Sequence, residues 1–164
     1  MLKKNRFNIA KSKGKGREIM ASHMGEKATV YLDQAFSWYV RLRDTDRTGW
    51  GKCITCSDQL YLTEADCGHF MPRVCVSTRW EPENAAMQCR VCNGKENGMR
   101  NVFEQEINVR FPGASERMRS LSASILKINR SERYAMCLHF RLLSEELNAS
   151  KDYPFVLPWN SGKS

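Results

Sequence analysis

A chain of 164 residues, 41% of them hydrophobic, suits one domain with a modest core and appendages. No run approaches the roughly 18 apolar residues of a membrane-spanning helix. Seven cysteines, an odd count with four in Cys-x-x-Cys pairs, argue against a disulfide framework and for a reducing, cytoplasmic setting. The charge is lopsided: seven Lys or Arg and no acid fall in the first seventeen residues, leaving +1 of the net +8 for the rest.

Residues 1–25 are rich in Lys, Gly and Ser and read as a disordered arm. Its charge suits a nucleic-acid backbone, and a merely solvated tail is the alternative. From Glu26 to about Arg47 the pattern is helical, with Tyr31, Ala35, Trp38 and Leu42 on one face. That face, Trp38 included, is expected to pack in the core, and Gly49 and Gly51 end the segment. Cys53–Cys56 is predicted to lie on a tight turn, Leu60–Phe70 to be extended, and 71–83 to loop through Pro72 and Pro82. A second short strand is expected from Asn84 to Cys89. Helix then runs from near Cys92 to about Arg110, with Met99, Phe103 and Ile107 on one face, until Phe111-Pro112-Gly113 stops it. Ser115 opens another helix, in which Leu121, Ile125 and Ile128 share a face. Ser131 is the expected N-cap of a last helix to about Leu147, with Tyr134, Leu138 and Leu142 as its stripe. The sequence Tyr153–Trp159, with two prolines, is expected to dock as an extended segment within a C-terminal tail, 151–164. The reading is an α+β, mostly helical domain over 26–150.

Two Cys-x-x-Cys knuckles a few tens of residues apart read as one structural zinc site. Each pair delivers two sulfurs to one side of a tetrahedron, so Cys53, Cys56, Cys89 and Cys92 are the expected Zn2+ ligands. A rival set of Cys53, Cys56, Cys67 and His69 leaves the second knuckle incomplete. Cys75 and Cys137 read as ordinary small apolar residues.

Between the knuckles stand groups that can handle a phosphodiester. His69 ends an extended segment, and a neutral imidazole is a suitable general base near pH 7. One hard divalent cation, Mg2+ or Mn2+, can neutralise the phosphate and stabilise the leaving oxygen if oxygen ligands hold it. Asp66 is the nearest carboxylate to His69, with Glu64 as second choice. Asn93 offers an amide oxygen at a helix start. Asn84 cannot titrate but can hold an imidazole in orientation. Arg73, Arg79, Arg90, Lys95 and Arg100 flank the region as candidate DNA-phosphate contacts; the bland alternative is surface charge paired with Glu81, Glu83 and Glu96.

This order of His, Asn, and Asn just after the second knuckle resembles the HNH or ββα-metal endonucleases in an H-N-N variant. Cys67-Gly68-His69-Phe70-Met71-Pro72-Arg73, Thr78-Arg79-Trp80, Glu83-Asn84 and Gln88-Cys89-Arg90-Val91-Cys92-Asn93 are together similar to the NinG (Rap) family of phage recombination endonucleases, over roughly residues 53–110. The resemblance implies a zinc-clamped ββα-metal core, HNH-like and related to the treble clef, with flanking helices. It implies a metal-dependent nuclease acting on branched recombination intermediates such as Holliday junctions and D-loops, in the cytoplasm of a phage's bacterial host. His69 is then the general base, Asn84 its positioner and Asn93 a metal ligand. One departure stands out: where the common HNH pattern has a metal-binding Asp or His directly before the base, this chain has Gly68. The alternatives are a non-catalytic zinc-stabilised DNA-binding recombination accessory protein and a treble-clef protein-interaction module. A four-way junction has two-fold symmetry, so a homodimer is the simplest way to place two cuts; the stripes Leu121/Ile125/Ile128 and Tyr134/Leu138/Leu142 are the surfaces considered for it.

Overall fold

Leu32, Ala35, Phe36 and Val40, spaced at one helix face, are wholly buried on α1 (Ala28–Arg43), the helix on which the rest of the fold is built. It packs against α5 (Arg130–Ala149), where the rings of Phe36 and Phe140 meet edge to face with centroids 5.0 Å apart. In the computed structural model, residues 27–160 are described; the expected basic arm 1–25 and residues 161–164 of the expected tail lie outside them.

After α1 come β1 (Trp50–Lys52) and β2 (Gln59–Tyr61), an antiparallel hairpin closed by the first Cys-x-x-Cys. A second antiparallel pair follows: β3 (Asp66–His69) and β4 (Ala85–Gln88), in register Asp66 with Gln88 and His69 with Ala85. Short α2 (Arg90–Gly94), then α3 (Glu96–Arg110) and α4 (Ala114–Ser122), complete the order before α5. Among the described residues, the protein is thus an α+β fold, about half helical, with two small sheets. This is less helical than expected.

The β3–β4 pair sits between two cores, which is why all four residues of β4 are buried. Side chains alternate along a strand. Cys67 and Ala85 therefore join Phe36, Trp80 and Phe140 under α1 and α5, while Ala86 and Phe70 join Phe103, Ile107 and Met118 under α3 and α4.

Several sequence expectations need correction. The extended stretch Leu60–Phe70 is broken by a 3-10 turn at Leu62–Glu64, where the Glu64 carboxylate accepts from the Tyr61 N–H. The helix after the second knuckle begins at Arg90 and is interrupted at Lys95, with positive φ at Gly98 and Met99 just beyond. α4 ends at Ser122, so Leu121, Ile125 and Ile128 do not form a helical stripe, and Ile125 is 93% exposed in the connection. The N-cap of α5 is Asn129 rather than Ser131, because only Asn129 has an acid three residues on. Its side chain accepts from the Glu132 N–H, and Glu132 accepts from the Asn129 N–H. The buried face of α5 is Cys137, Phe140, Ser144 and Asn148, not Tyr134, Leu138 and Leu142; Leu142 is exposed.

The segment after α5 folds back on the body. Asn148 donates to the Phe155 carbonyl and accepts from its N–H, and Leu157 is buried against Leu42 and Leu62. Trp38 packs beside Phe155 at a centroid distance of 6.4 Å, a core role as expected. Lys151, also buried, donates from Nζ to the carbonyls of Leu42, Thr45 and Asp46 and so satisfies the open end of α1. Among the described residues no helix is long and apolar enough to cross a membrane.

Candidate active site and thiol cluster

Cys53 leaves β1, Cys56 follows in the turn, Cys89 caps α2 and Cys92 lies within it. Their four sulfurs lie within 4.8 Å of one another, with Cys56 and Cys89 3.9 Å apart. A Zn–S bond of about 2.3 Å and tetrahedral angles put neighbouring sulfurs about 3.8 Å apart, so this cluster could hold a zinc ion. The turn is held in place from outside, since the Ile54 N–H donates to the Met87 carbonyl of β4. The donor set also fits electrostatically. Burial works against the Cys53 thiolate, yet the Thr55 hydroxyl and the N–H groups of Cys56, Cys89 and Thr55 outweigh it and bring the thiol down to about 6. Cys89 is pushed up by desolvation and by the thiols of Cys92 and Cys53. Crowded sulfurs that resist joint ionisation are what a divalent cation relieves. Cys67 and His69 are not part of this cluster. Cys67 is fully buried under α1, where burial raises its thiol to about 12. Cys137 is buried in the same core, as expected of a small apolar side chain.

His69 closes β3 and lies half-buried beside the Phe36 ring at 5.8 Å. Its Nε2 is 3.0 Å from the Arg79 carbonyl oxygen and its Nδ1 is 3.2 Å from that of Cys67. Burial, then the nearby Arg73 guanidinium, lower its pKa to about 4, against the opposing pull of the two carbonyls and Asp33. The imidazole is therefore neutral at pH 7. The Phe70 N–H bonds to the Asn84 carbonyl in the same ladder, so alternation turns the N–H and C=O of Cys67 and His69 away from β4. On that outer edge Arg73, itself exposed, donates from Nη2 to the Cys67 carbonyl at 3.3 Å. The edge thus gathers His69 Nδ1, the Cys67 carbonyl and one guanidinium.

Asn84 is wholly buried and does not touch the imidazole. Its Oδ1 accepts from the Met71 N–H at 2.7 Å, and its Nδ2 donates to the carbonyls of Met71 and Thr78. It ties together the two ends of the 71–79 loop and thereby fixes where the Arg79 carbonyl sits. The positioning acts through the loop rather than by direct contact.

Asp66 and Asn93 come together: Asn93 Nδ2 donates to Asp66 Oδ2 at 3.0 Å. A carboxylate accepts only, so the amide is oriented and its oxygen is turned away from Asp66. β3 pairs regularly across Asp66 to His69, with no bulge at Asp66. Alternation nevertheless places Asp66 on the Gly68 face and His69 on the other, three residues or about 10 Å along the strand. Glu64, the second choice, faces the Tyr61 backbone instead. Gly68 has a packing reason: a Cβ there would collide with the Gln88 side chain, which lies over it and donates to the Gly98 carbonyl at 2.8 Å.

Of the candidate phosphate contacts, Arg73, Arg90, Lys95 and Arg100 are exposed. Arg79 is not open in the same way. Its Nε and Nη2 bind the two oxygens of Asp33 on α1, and its Nη1 donates to the Arg73 carbonyl. Glu83, offered as a surface partner for these groups, instead pairs with Arg117 at 2.7 Å.

Sequence reasoning missed two contributors. One is the Arg79 main-chain oxygen, which has no side-chain signature. The other is Asp33, a single acid on a helix, which nothing in its local spacing singles out. Comparison with protein-family models, curated proteins and solved structures finds no match to this chain.

Proposed function

We propose that the protein is a zinc-stabilised, divalent-metal DNA endonuclease with a ββα-metal, HNH-like core, acting on branched DNA. The observation that carries the reading is His69. It stands at the open edge of β3 beside Arg73, with one nitrogen on the Arg79 carbonyl, while Asp66 and Asn93 pair on the opposite face of the strand. β3, β4 and α2 follow one another in the order a ββα core requires, and the thiol cluster joins the β4–α2 junction of that unit to the β1–β2 turn. The preference for Holliday junctions or D-loops, and the phage setting, rest on the sequence resemblance to the NinG (Rap) family.

Donation from His69 Nε2–H to the Arg79 carbonyl leaves Nδ1 as the proton acceptor. Nδ1 takes a proton from water, the water oxygen attacks phosphorus, the bond to the 3′ oxygen breaks, and that oxygen takes up a proton from solvent. The products are a 3′-hydroxyl and a 5′-phosphate. Arg73 places the phosphate at the strand edge by a bidentate, sequence-independent contact. Asp66 and Asn93 would offer hard oxygen donors to a Mg2+ or Mn2+ ion, the Asn93 amide turning its oxygen inward to do so, and such a cation would supply charge neutralisation for the phosphate and leaving oxygen. Arg90, Lys95, Arg100 and the basic arm extend the DNA-binding surface. The two-fold symmetry of a four-way junction favours a homodimer, with Tyr134/Leu138/Leu142 left as the stripe considered for its interface, since the helix that carries Leu121 ends at Ser122.

One observation favours a second reading, a non-catalytic zinc-stabilised DNA-binding accessory protein. Both ring nitrogens of His69 face carbonyl oxygens, an arrangement also met in purely structural histidines. Incubation with Mg2+ or Mn2+ on labelled four-way, three-way and linear duplex DNA separates the two. The nuclease cuts branched DNA, and His69→Ala retains binding but not cutting. Binding without cutting by the parent protein selects the accessory reading.

A further inference from the structure

The hydrogen bond that orients His69 is itself anchored by a residue outside the zinc-clamped unit. Asp33 lies half-buried on α1, forty-six residues before Arg79. Its Oδ1 accepts from Arg79 Nε at 2.9 Å and from Trp80 Nε1 at 2.8 Å, and its Oδ2 accepts from Arg79 Nη2. The carboxylate therefore grips two consecutive residues. Trp80 is buried among Phe36, Cys67 and Phe140, and the Arg79 guanidinium lies 5.3 Å from the Trp80 ring centroid. Both side chains that flank the peptide carrying the Arg79 carbonyl are fixed, and that carbonyl is 3.0 Å from His69 Nε2.

We propose that Asp33 is a positioning residue: by clamping Arg79 and Trp80 it holds the Arg79 carbonyl in place, and so keeps the proton of His69 on Nε2 and leaves Nδ1 as the base. The inference rests on the nuclease reading for its catalytic consequence, but the tautomer itself is independent of that reading. The need for such a clamp follows from the surroundings of the ring. A neutral imidazole has one N–H, and here two carbonyls compete for it at 3.0 and 3.2 Å. The Cys67 carbonyl also accepts from Arg73, and the Arg79 carbonyl lies the closer of the two to its ring nitrogen. A well-placed Arg79 carbonyl therefore takes the proton, and a displaced one yields it to Nδ1, where a base would be lost. Asn84 holds the loop near Met71 and Thr78, and Asp33 holds it at Arg79 and Trp80, so the two constraints act at different points. The bond from Asp33 also makes α1 part of the machinery.

The test is long-range 1H–15N NMR of the histidine rings in the full chain, with His69 assigned by the loss of its signals in His69→Ala. The parent protein is expected to show His69 as a single neutral tautomer protonated at Nε2. Asp33→Asn keeps the shape but loses the charged bidentate pair, and is expected to show a mixture of tautomers. On branched DNA its kcat should fall about tenfold to a hundredfold, the scale of a small misplacement of a catalytic group, with KM unchanged. Asp33→Glu, which restores a carboxylate, should recover most of both signals. The double variant Asp33→Asn/Arg79→Lys should be no worse than the poorer single one, since both break one link. An unchanged Nε2–H tautomer in a folded, zinc-containing Asp33→Asn protein would overturn the proposal. Should Asp33→Asn fail to fold, Trp80→Phe removes one of the three bonds while keeping the packing, and an unchanged tautomer and kcat there likewise overturn it. Absence of any cleavage by the parent defeats the nuclease reading, while the tautomer measurement still decides the clamp.

Discussion

The thiol cluster and the histidine edge are built on opposite plans. Four cysteines meet because two short turns each carry a pair at fixed local spacing, and the Ile54 N–H bond to the Met87 carbonyl and the Cys89 N–H bond to Cys53 Sγ dock one turn on the other, leaving the sulfurs within 4.8 Å. His69 is placed by long-range contacts instead: a main-chain oxygen ten residues on, a buried amide at Asn84 and a carboxylate on α1. A locally encoded site tolerates change elsewhere and fails wholly when a ligand goes. A distributed site can be weakened by degrees from several distant positions.

The contrast can be broken most severely at the cysteines. Cys89→Ser or Cys92→Ser should cost the fold itself, since structural zinc in small modules is worth about 10 kcal/mol or more of apparent binding free energy. Circular dichroism and elemental analysis should report lost structure and lost zinc. Cys67→Ala, outside the cluster, should retain one zinc per chain and lose about 1–2 kcal/mol. Equal damage from all three substitutions would erase the distinction.

At the edge, His69→Ala should lower cleavage of branched DNA by at least ~10²-fold with zinc content retained. Asn84→Ala, which leaves the Met71 N–H and carbonyl without the Asn84 side chain and the Thr78 carbonyl with only the Glu81 N–H, should destabilise by about 3 kcal/mol in urea titration and also depress kcat. An effect on stability alone would separate Asn84 from the chemistry. Arg73→Ala and Arg79→Ala sharpen the picture further. Loss of Arg73 should weaken DNA affinity and reduce its salt slope by about one, with stability unchanged. Loss of Arg79 should lower stability by about 1–2 kcal/mol, because Asp33 loses its charged partner.

A further effect is with pH. The folded value of His69, about 4, lies below its ordinary 6.5, so the unfolded chain takes up this proton first. The corresponding stability is intact above pH 6.5 and is lost as pH falls towards 4. The fall in urea midpoint over that window should be shallower in His69→Gln than in the parent, and identical slopes would mean the ring is not held neutral. Cleavage should keep its base form down to about pH 5.

What could be read in the sequence follows the same division. The cysteine set, the short strands β3 and β4 near their observed places and the role of Trp38 were legible, because turn chemistry and helix periodicity are local, whereas β1 was not. Asp66 and Asn93 could be named singly, but their mutual hydrogen bond depends on the path between β3 and α2. The Asn129 cap was missed because two neighbouring polar residues compete, and only the acid at Glu132 decides between them. The stripe on α5 was drawn with leucines, whereas the face against α1 uses Cys137, Ser144 and Asn148, residues that hydrophobic patterning underweights. Arg79 looked like a phosphate ligand because the partner that occupies it lies forty-six residues away.

Lys151 bears on the order in which the molecule is assembled. It seals α1 through the Leu42 carbonyl, 109 residues upstream, while Cys56 and Cys89 are only 33 apart. Closing the longer span costs about 1 kcal/mol more in chain entropy, and it must wait until the last helix has been synthesised. The thiol cluster can therefore close while α1 still has an open end, so a nascent chain that takes up zinc there would pass through a stage in which the helix bearing Asp33 is not yet locked. Shortening the chain just before Lys151 would arrest the protein at that stage, with its thiols protected and its histidine unset.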